Sequence, residues 1–305
     1  MRYVPTGIIG EMAKFEFPFR GETKRLTQEE RARLPGEFIK LSDGVTHYEL
    51  GGPVDGQVVV LVHGFSVPYF IWDPTFEALT KAGFWTLRYD LYGRGYSDRP
   101  NEGYDVDLFE RQLSDLLDAL GFKEKVNVVG LSMGGIISAA FAIRHPKRVA
   151  KLGLVDPAGF PLNLPLTFRL LTVRGLGEVM LNFVGVRNLE NSIASDFYEP
   201  KHIKEFMELY GPQMEYKGFR RAILSTIREG VLDRGFEIYE GVGMSDLPVM
   251  LVWGVEDNTV PFRHSVALVE AIPQVEFHPI EEAGHIPHYE KPEVANPILI
   301  EFLRR

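Results

Sequence analysis

An uninterrupted apolar run, Val58 to Val62, dominates a predicted strand over residues 57–63. A strand with one face in water alternates polar and apolar side chains, so an unbroken β-branched run predicts a strand that is covered on both faces. Such strands are typical of parallel sheets that lie between layers of helices. The chain is therefore expected to contain a sheet of this kind.

Seven further segments predict strands, and helical patterns separate most of them. The predicted strands cover residues 37–41, 45–50, 85–90, 126–131, 150–156, 248–254 and 275–280, and the predicted helices cover residues 74–81, 105–120, 133–144, 262–271 and 292–303. This alternation predicts an α/β fold with a mostly parallel central sheet and helices on both faces. The first two strands flank the turn Ser42-Asp43-Gly44 and are expected to form a hairpin.

The alternation breaks once, between residues 157 and 247, where the sequence shows no convincing strand pattern. This stretch is helical in pattern and strongly apolar at its start, so we expect a helical cap inserted over one edge of the sheet. The predicted organisation is an N-terminal extension (residues 1–36), an α/β core (residues 37–156 and 248–305) and the cap (residues 157–247).

The segment Gly130-Leu131-Ser132-Met133-Gly134-Gly135 matches the pattern G-x-S-x-G between a predicted strand and a predicted helix. So sharp a strand-to-helix turn holds the serine in a strained backbone conformation, and it needs glycines on either side because a Cβ would clash. The turn exposes the hydroxyl at a helix N-terminus, where negative charge is stabilised. Ser132 is therefore the candidate nucleophile.

A serine nucleophile needs a base and an acid that orients the base. His285 follows the last predicted strand, so it is expected at the same edge of the sheet as Ser132. His288 is its only close rival, and the pair His285-x-x-His288 lacks an acidic partner at metal-ligand spacing. Asp257 follows the penultimate strand and is the favoured acid, with Asp156, at the end of the preceding strand, as the alternative.

Two backbone N–H groups are expected to bind the oxyanion that forms when a serine attacks a carbonyl. One belongs to Met133, directly after the nucleophile, and the other to Phe65 in the loop after the strand that ends near His63. His63 and Asp90 are expected to brace neighbouring loops. The glycine-rich turn from Asp90 to Ser97 does not match a dinucleotide-binding pattern, because Asp98 occupies the position of the third glycine.

Composition excludes several other classes of function. Lysine and arginine total 33 and aspartate and glutamate total 42, so the formal net charge is −9. Such a chain has no general attraction for a phosphate backbone or an anionic membrane, and nucleic-acid binding is disfavoured. The absence of cysteine excludes disulfides, thiolate metal sites and a cysteine nucleophile. We expect no cofactor and no metal.

Two apolar segments could be mistaken for targeting or membrane signals. At the N-terminus, Pro5 interrupts a short apolar stretch, Glu11 follows it, and no small-residue cleavage site is present. Residues 126–143 are uncharged, but their polar residues and glycines indicate a strand, a turn and a helix in succession. We therefore expect a cytoplasmic protein without stable membrane insertion.

Five motifs together resemble the α/β-hydrolase fold superfamily: His63-Gly64-Phe65, Asp90 to Ser97, Gly130 to Gly135, Asp257 to Pro261 and Gly284-His285. The resemblance runs from about Glu37 to the C-terminus. It implies a triad of Ser132, Asp257 and His285, with Phe65 and Met133 as oxyanion donors. Within the superfamily, the chain is similar to capped carboxylesterases, monoacylglycerol-lipase-like enzymes and carbon–carbon hydrolases of meta-cleavage products. Dehalogenases and epoxide hydrolases carry an aspartate where this chain has Ser132.

The resulting hypothesis is a serine hydrolase that cleaves carboxylic esters of small to medium apolar acyl groups through an acyl-enzyme. Leu131 before the serine favours esterases and lipases, because carbon–carbon hydrolases usually have asparagine there. A carbon–carbon hydrolase on the same triad and a ligand receptor on a hydrolase fold remain the alternatives. The expected partner is a small-molecule ester, with transient lipid contact through the cap as a further option.

Overall fold

The computed structural model describes residues 17–161 and 166–305, apart from the side chains of residues 166–168, 184–192 and 202. In this part of the chain, eight strands form one sheet. They are β1 (Glu37–Lys40), β2 (Val45–Gly51), β3 (Val58–Val62), β4 (Trp85–Tyr89), β5 (Val126–Leu131), β6 (Val149–Val155), β7 (Val249–Gly254) and β8 (Val275–Ile280). Each predicted strand is present, with both ends within one residue of the prediction.

The strand order in the sheet is β1-β2-β4-β3-β5-β6-β7-β8. β2 pairs antiparallel with β1 and β4, and all other neighbouring pairs are parallel. The predicted hairpin and the mostly parallel sheet are thus confirmed. Because β3 to β8 run in one direction, the loops that follow these strands leave from the same edge of the sheet.

Helices cover both faces of the sheet. The described helices are α1 (Gln28–Arg31), α2 (Asp73–Lys81), α3 (Val106–Ala119), α4 (Met133–Arg144), α5 (Leu166–Leu171), α6 (Leu176–Ser195), α7 (Ile203–Tyr210), α8 (Phe219–Arg228), α9 (Phe236–Gly243), α10 (His264–Ala271), α11 (Pro287–Glu290) and α12 (Pro292–Arg304). Val59 and Leu61 of β3 pack in the cluster that includes Phe76 of α2 and Leu299 of α12. Val60 and Val62 pack on the other face, in a cluster with residues of α3 and α4.

This two-sided packing explains the unbroken apolar run from Val58 to Val62. Side chains of a strand alternate between its faces, and a helical layer covers each face. All four residues from Val59 to Val62 are fully buried. The α/β fold with helices on both faces is confirmed.

The segment between β6 and β7 carries α5 to α9 and, in its described residues, no strand. The N-terminal residues from 17 onward pack against it. The Glu22 carboxylate accepts hydrogen bonds from the backbone N–H groups of Gly218 and Arg220, at 2.7 and 2.8 Å. Lys24 forms an isolated parallel bridge with Tyr216. The sequence did not predict this contact. The assignment of residues 157–247 as a cap domain stays a prediction.

Residues 126–143, the segment that resembles a membrane span in the sequence, form β5, the turn at Ser132 and most of α4. Among the described residues, none of the helices has both the length and the apolar character that crossing a bilayer requires.

Candidate active site

Ser132 occupies the turn between β5 and α4 in a backbone conformation that non-glycine residues rarely adopt, with φ 54° and ψ −119°. The flanking glycines make this turn possible. A Cβ on Gly130 would lie 2.2 Å from the carbonyl oxygen of Gly134, and a Cβ on Gly134 would lie 2.2 Å from that of Val62. The turn therefore has the geometry that the G-x-S-x-G pattern predicts.

Ser132 and His285 line one cavity at the edge of the sheet where the parallel strands end. The cavity has a volume of about 80 Å³. Its described lining residues are Gly64, Phe65, Ser66, Val67, Ile71, Leu131, Ser132, Ile193, Asp196, Phe206, Thr259, His285 and Ile286. Most of these side chains are apolar, and Asp196 and His285 are the ionisable ones. The loops after β3, β5, β7 and β8 thus meet residues of α6 and α7 around the serine.

The imidazole of His285 is held by Asp257. Its Nδ1 lies 2.7 Å from Oδ2 of Asp257, and both side chains are buried. The other carboxylate oxygen, Oδ1, accepts hydrogen bonds from the N–H groups of Thr259 and Val260, at 2.8 and 2.9 Å. Burial disfavours the charged imidazole, but the charge of Asp257 and its hydrogen bond outweigh burial, so the pKa of His285 is raised. This arrangement leaves Nε2 as the ring nitrogen available to another group.

Asp156, the alternative acid, lies next to this pair but has a different partner. Its Oδ1 accepts a hydrogen bond from the N–H of Gly254 at 2.9 Å, and its backbone is strained, with φ 42°. Burial and the neighbouring charge of Asp257 raise the pKa of Asp156 well above its ordinary value. Asp156 therefore favours its protonated form more than an ordinary aspartate does, and Asp257 is the carboxylate that contacts the histidine.

Oxygen and nitrogen atoms of Asp156, Asp257 and His285 lie within 4.8 Å of one another, the spacing of a possible metal-ligand set. Oδ2 of Asp156 has no hydrogen-bond partner in the described part of the chain, but Nδ1 of His285 and Oδ2 of Asp257 already bond each other, and a metal ion held by all three residues would have to displace that bond. His288, the rival histidine, packs against Trp72 with ring centroids 4.3 Å apart. Burial lowers the pKa of His288 to about 3, and it is not among the described residues that line the cavity.

The backbone N–H groups of Phe65 and Met133 have no hydrogen-bond acceptor in the described part of the chain. Met133 is the first residue of α4, so its N–H points out of the helix N-terminus. The Phe65 carbonyl accepts a hydrogen bond from Nε of Arg94 at 2.7 Å, which fixes the orientation of this loop. Both N–H groups are thus unpaired in the described part of the chain, and that they bind an oxyanion stays a prediction.

His63 and Asp90 hold loops at the same edge of the sheet, in line with the roles expected from the sequence. Nε2 of His63 accepts from the N–H of Leu91 at 2.9 Å, and burial lowers the pKa of His63 to about 4, which keeps the ring neutral. The Asp90 carboxylate accepts from the N–H groups of Tyr69 and Tyr96, each at 2.8 Å. His63 itself does not line the cavity.

The sequence did not predict a role near the site for Arg94, Asp196, Gln213 or Glu290. Gln213 accepts from the N–H of Gly95 and donates to the carbonyl of Ser66, each at 2.8 Å, so it joins two loops at the rim. No local pattern marks these residues, because most of their partners are distant in the chain, up to 147 positions away for Gln213 and Ser66. These contacts become visible only in the three-dimensional structure.

Comparisons with known proteins agree with this fold. A family model described as alpha/beta hydrolase fold matches residues 57–292. The chain is 27% identical over 289 residues to 2-hydroxy-6-oxo-6-phenylhexa-2,4-dienoate hydrolase from Comamonas testosteroni, covering 87% of this chain and 93% of that protein. It is 27% identical over 275 residues to Lipase 3 from Moraxella sp. (strain TA144), covering 88% and 85%.

Among solved structures, the enol-lactonase from Burkholderia xenovorans LB400 superposes with a TM-score of 0.75 at 21% identity, covering 88% of this chain and all of that one. At this identity the likeness concerns the fold. The family model spans well over half of the chain, including the loops that carry Ser132 and His285. The chain belongs to the alpha/beta hydrolase fold family.

Proposed function

We propose that this chain is a serine hydrolase that cleaves carboxylic esters with short, apolar acyl groups through an acyl-enzyme. The observation that carries the proposal is the buried hydrogen bond between His285 and Asp257 at the cavity that Ser132 also lines. A serine on a strained turn, a histidine with raised pKa and an orienting carboxylate are the three parts of a nucleophilic triad.

In the proposed mechanism, Ser132 Oγ attacks the ester carbonyl while Nε2 of His285 takes its proton. The N–H groups of Phe65 and Met133 bind the oxyanion of the tetrahedral intermediate. The charged His285, stabilised by Asp257, then protonates the leaving alcohol, and the acyl group remains on Ser132. Water, deprotonated by His285, attacks the acyl-enzyme, and the acid is released as Ser132 regains its proton.

The size of the cavity supports short acyl groups. Its volume of about 80 Å³ is roughly half that of a cavity of about 150 Å³ that holds a benzene ring. Apolar side chains, among them Val67, Leu131 and Phe206, provide most of its described lining. We expect the rate per enzyme to be highest for acyl chains of a few carbons and to fall for long ones.

The carbon–carbon hydrolase alternative draws support from the Comamonas testosteroni relative, whose name specifies a dienoate as its substrate. A dienoate carries a carboxylate. The described lining of the cavity includes no lysine or arginine that would pair with it, and it does include the carboxyl group of Asp196. The charge of the cavity thus favours the ester reaction.

The test combines a panel of p-nitrophenyl esters of graded acyl length with a fluorophosphonate label. Wild-type protein should hydrolyse the short esters and incorporate the label at Ser132. Ser132→Ala should lose label and turnover by several orders of magnitude, with Ser138→Ala, in the helix that follows the turn, as the control serine. Ester turnover by Ser132→Ala at the wild-type rate would overturn the proposal.

Rapid cleavage of a vinylogous diketone with negligible ester turnover would assign the carbon–carbon reaction. One slow turnover with a lasting covalent adduct would assign a ligand receptor.

A further inference from the structure

Asp196 places a carboxyl group in the candidate active-site cavity. It follows the last residue of α6, in the segment inserted between β6 and β7, and it lines the cavity together with Ser132 and His285. Its backbone carbonyl accepts a hydrogen bond from the N–H of His285 at 2.8 Å. This bond ties the position of Asp196 to that of the histidine.

The carboxyl group of Asp196 has one partner and one free oxygen. Its Oδ1 accepts a hydrogen bond from Oγ1 of Thr259 at 2.5 Å. In the described part of the chain, Oδ2 has no hydrogen-bond donor. Burial raises the pKa of Asp196 to about 6, against the lowering effect of His285 and Thr259, so the group is mostly ionised above neutral pH. The cavity therefore contains an anionic hydrogen-bond acceptor among mostly apolar walls.

The place of Asp196 beside His285 indicates which part of an ester it would contact. In the proposed mechanism His285 protonates the leaving alcohol, so the alcohol portion lies on the histidine side of the carbonyl carbon. The backbone carbonyl of Asp196 bonds the His285 N–H, and Asp196 lines the cavity next to the histidine, so we place its carboxylate on that side. A donor group on the alcohol would pair with Oδ2, whereas an anionic alcohol would meet a like charge.

We infer that Asp196 is a specificity residue for the alcohol portion of the ester: it accepts a hydrogen bond from a hydroxyl or ammonium group and excludes a carboxylate. This inference rests on the proposed ester hydrolysis. Another role for Asp196 would be to stabilise charged His285, which would affect all substrates equally. Specificity instead predicts effects that depend on the substrate.

The experiment compares four acetate esters of similar size with different groups at the alcohol end: propyl acetate, 2-hydroxyethyl acetate, protonated 2-(dimethylamino)ethyl acetate and acetoxyacetate. Acetate release is measured at about pH 7.5 for wild type, Asp196→Asn and Glu205→Gln. Glu205 is an exposed acidic residue on α7, so its variant controls for the change in net charge. Asparagine keeps the size of the side chain and can still accept from Thr259.

In wild type, the two donor-bearing esters should exceed propyl acetate in kcat/KM, and acetoxyacetate should be the poorest. Asp196→Asn should improve acetoxyacetate relative to propyl acetate by about tenfold or more and remove the advantage of the ammonium ester. Glu205→Gln should leave these ratios unchanged. If only the ammonium ester loses its advantage, the donor is an ammonium; if both do, either donor serves.

Equal loss by Asp196→Asn for all four esters would overturn the inference and assign Asp196 to stabilisation of the charged histidine. Unchanged ratios at unchanged rates would overturn it as well. A failure of the proposed function looks different: wild type would cleave none of the four esters, and fluorophosphonate would not label Ser132. The inference would then fall with the reaction on which it rests.

Discussion

The carboxylate of Glu290 accepts a hydrogen bond from the backbone N–H of Gly284, 2.8 Å away and directly before His285 in the chain. Its other oxygen accepts from the N–H groups of Tyr198 and Glu199, at 2.8 and 3.1 Å. One buried carboxylate thus joins the loop that carries His285 to the inserted segment that carries Asp196. A close approach reinforces the link, because a Cβ on Gly284 would lie 2.4 Å from the Asp196 carbonyl oxygen.

Glu290→Gln should destabilise the fold and displace His285. A glutamine amide presents two N–H donors where the carboxylate has an oxygen, so at least one backbone donor loses its acceptor. We expect a loss of about 1–3 kcal/mol in the free energy of unfolding and a lower kcat at temperatures well below unfolding. Urea unfolding measures the free energy of unfolding, and ester kinetics measure kcat. Glu293→Gln, at an exposed position of α12, is the control; equal behaviour of the two variants would contradict the link.

Asparagine substitutions should separate the two acids near His285. Asp257→Asn removes the charge that orients and stabilises the imidazole, and kcat should fall by about 10⁴-fold. Asp156→Asn puts an amide of the same size at a position that does not contact His285, with a positive φ that asparagine tolerates, so kcat should fall by less than about tenfold. Steady-state kinetics on a short ester measures kcat for both variants and for wild type. The reverse order of effects would make Asp156 the orienting acid.

The pH dependence of kcat/KM should report the raised pKa of His285. The reaction needs the neutral imidazole, and Asp257 favours the charged form, so activity should rise with pH through an apparent pKa above the ordinary value of 6.5. Asp257→Asn should move this rise to lower pH, because the stabilising charge is gone. Rates of fluorophosphonate labelling from about pH 5 to about pH 9 measure the shift even in slow variants. A rise at the same pH in both proteins would argue against this pairing.

Arg94→Lys should weaken the loop of Phe65. Arg94 is fully buried and donates to three neutral oxygens, those of Phe65, Tyr92 and Thr226. Burial lowers the pKa of Arg94 to about 9. A lysine ammonium cannot reach three separate acceptors as the planar guanidinium does.

We expect kcat on a short ester to fall by about 10- to 100-fold in Arg94→Lys, with a smaller change in KM, because the displaced Phe65 N–H acts mainly on the transition state. Arg111→Lys is the control, since Arg111 is exposed and pairs with Asp43 at the surface. If KM alone rises and kcat is kept, Arg94 does not position the oxyanion donor.

The sequence predicted most of the sheet because strands and turns leave patterns in short stretches of sequence. Unbroken apolar runs such as Val58 to Val62 are buried between two helical layers, and glycines around Ser132 stand where a side chain would collide with the backbone. Since parallel strands deliver their following loops to one edge, the meeting of Ser132, Asp257 and His285 also followed from strand order along the chain.

Tertiary structure alone decided which acid contacts His285 and which residues of the inserted segment line the cavity, because both depend on contacts between distant segments. The chain left Asp156 open as the acid; in the fold, His285 contacts Asp257, while Asp156 accepts from Gly254. The cap pattern indicated helices but not that Asp196 would enter the cavity beside Ser132. Hydrophobic periodicity determines which face of an element is buried. Which buried polar groups meet depends on how loops from different elements close over one another, and this is decided only when the whole chain has packed.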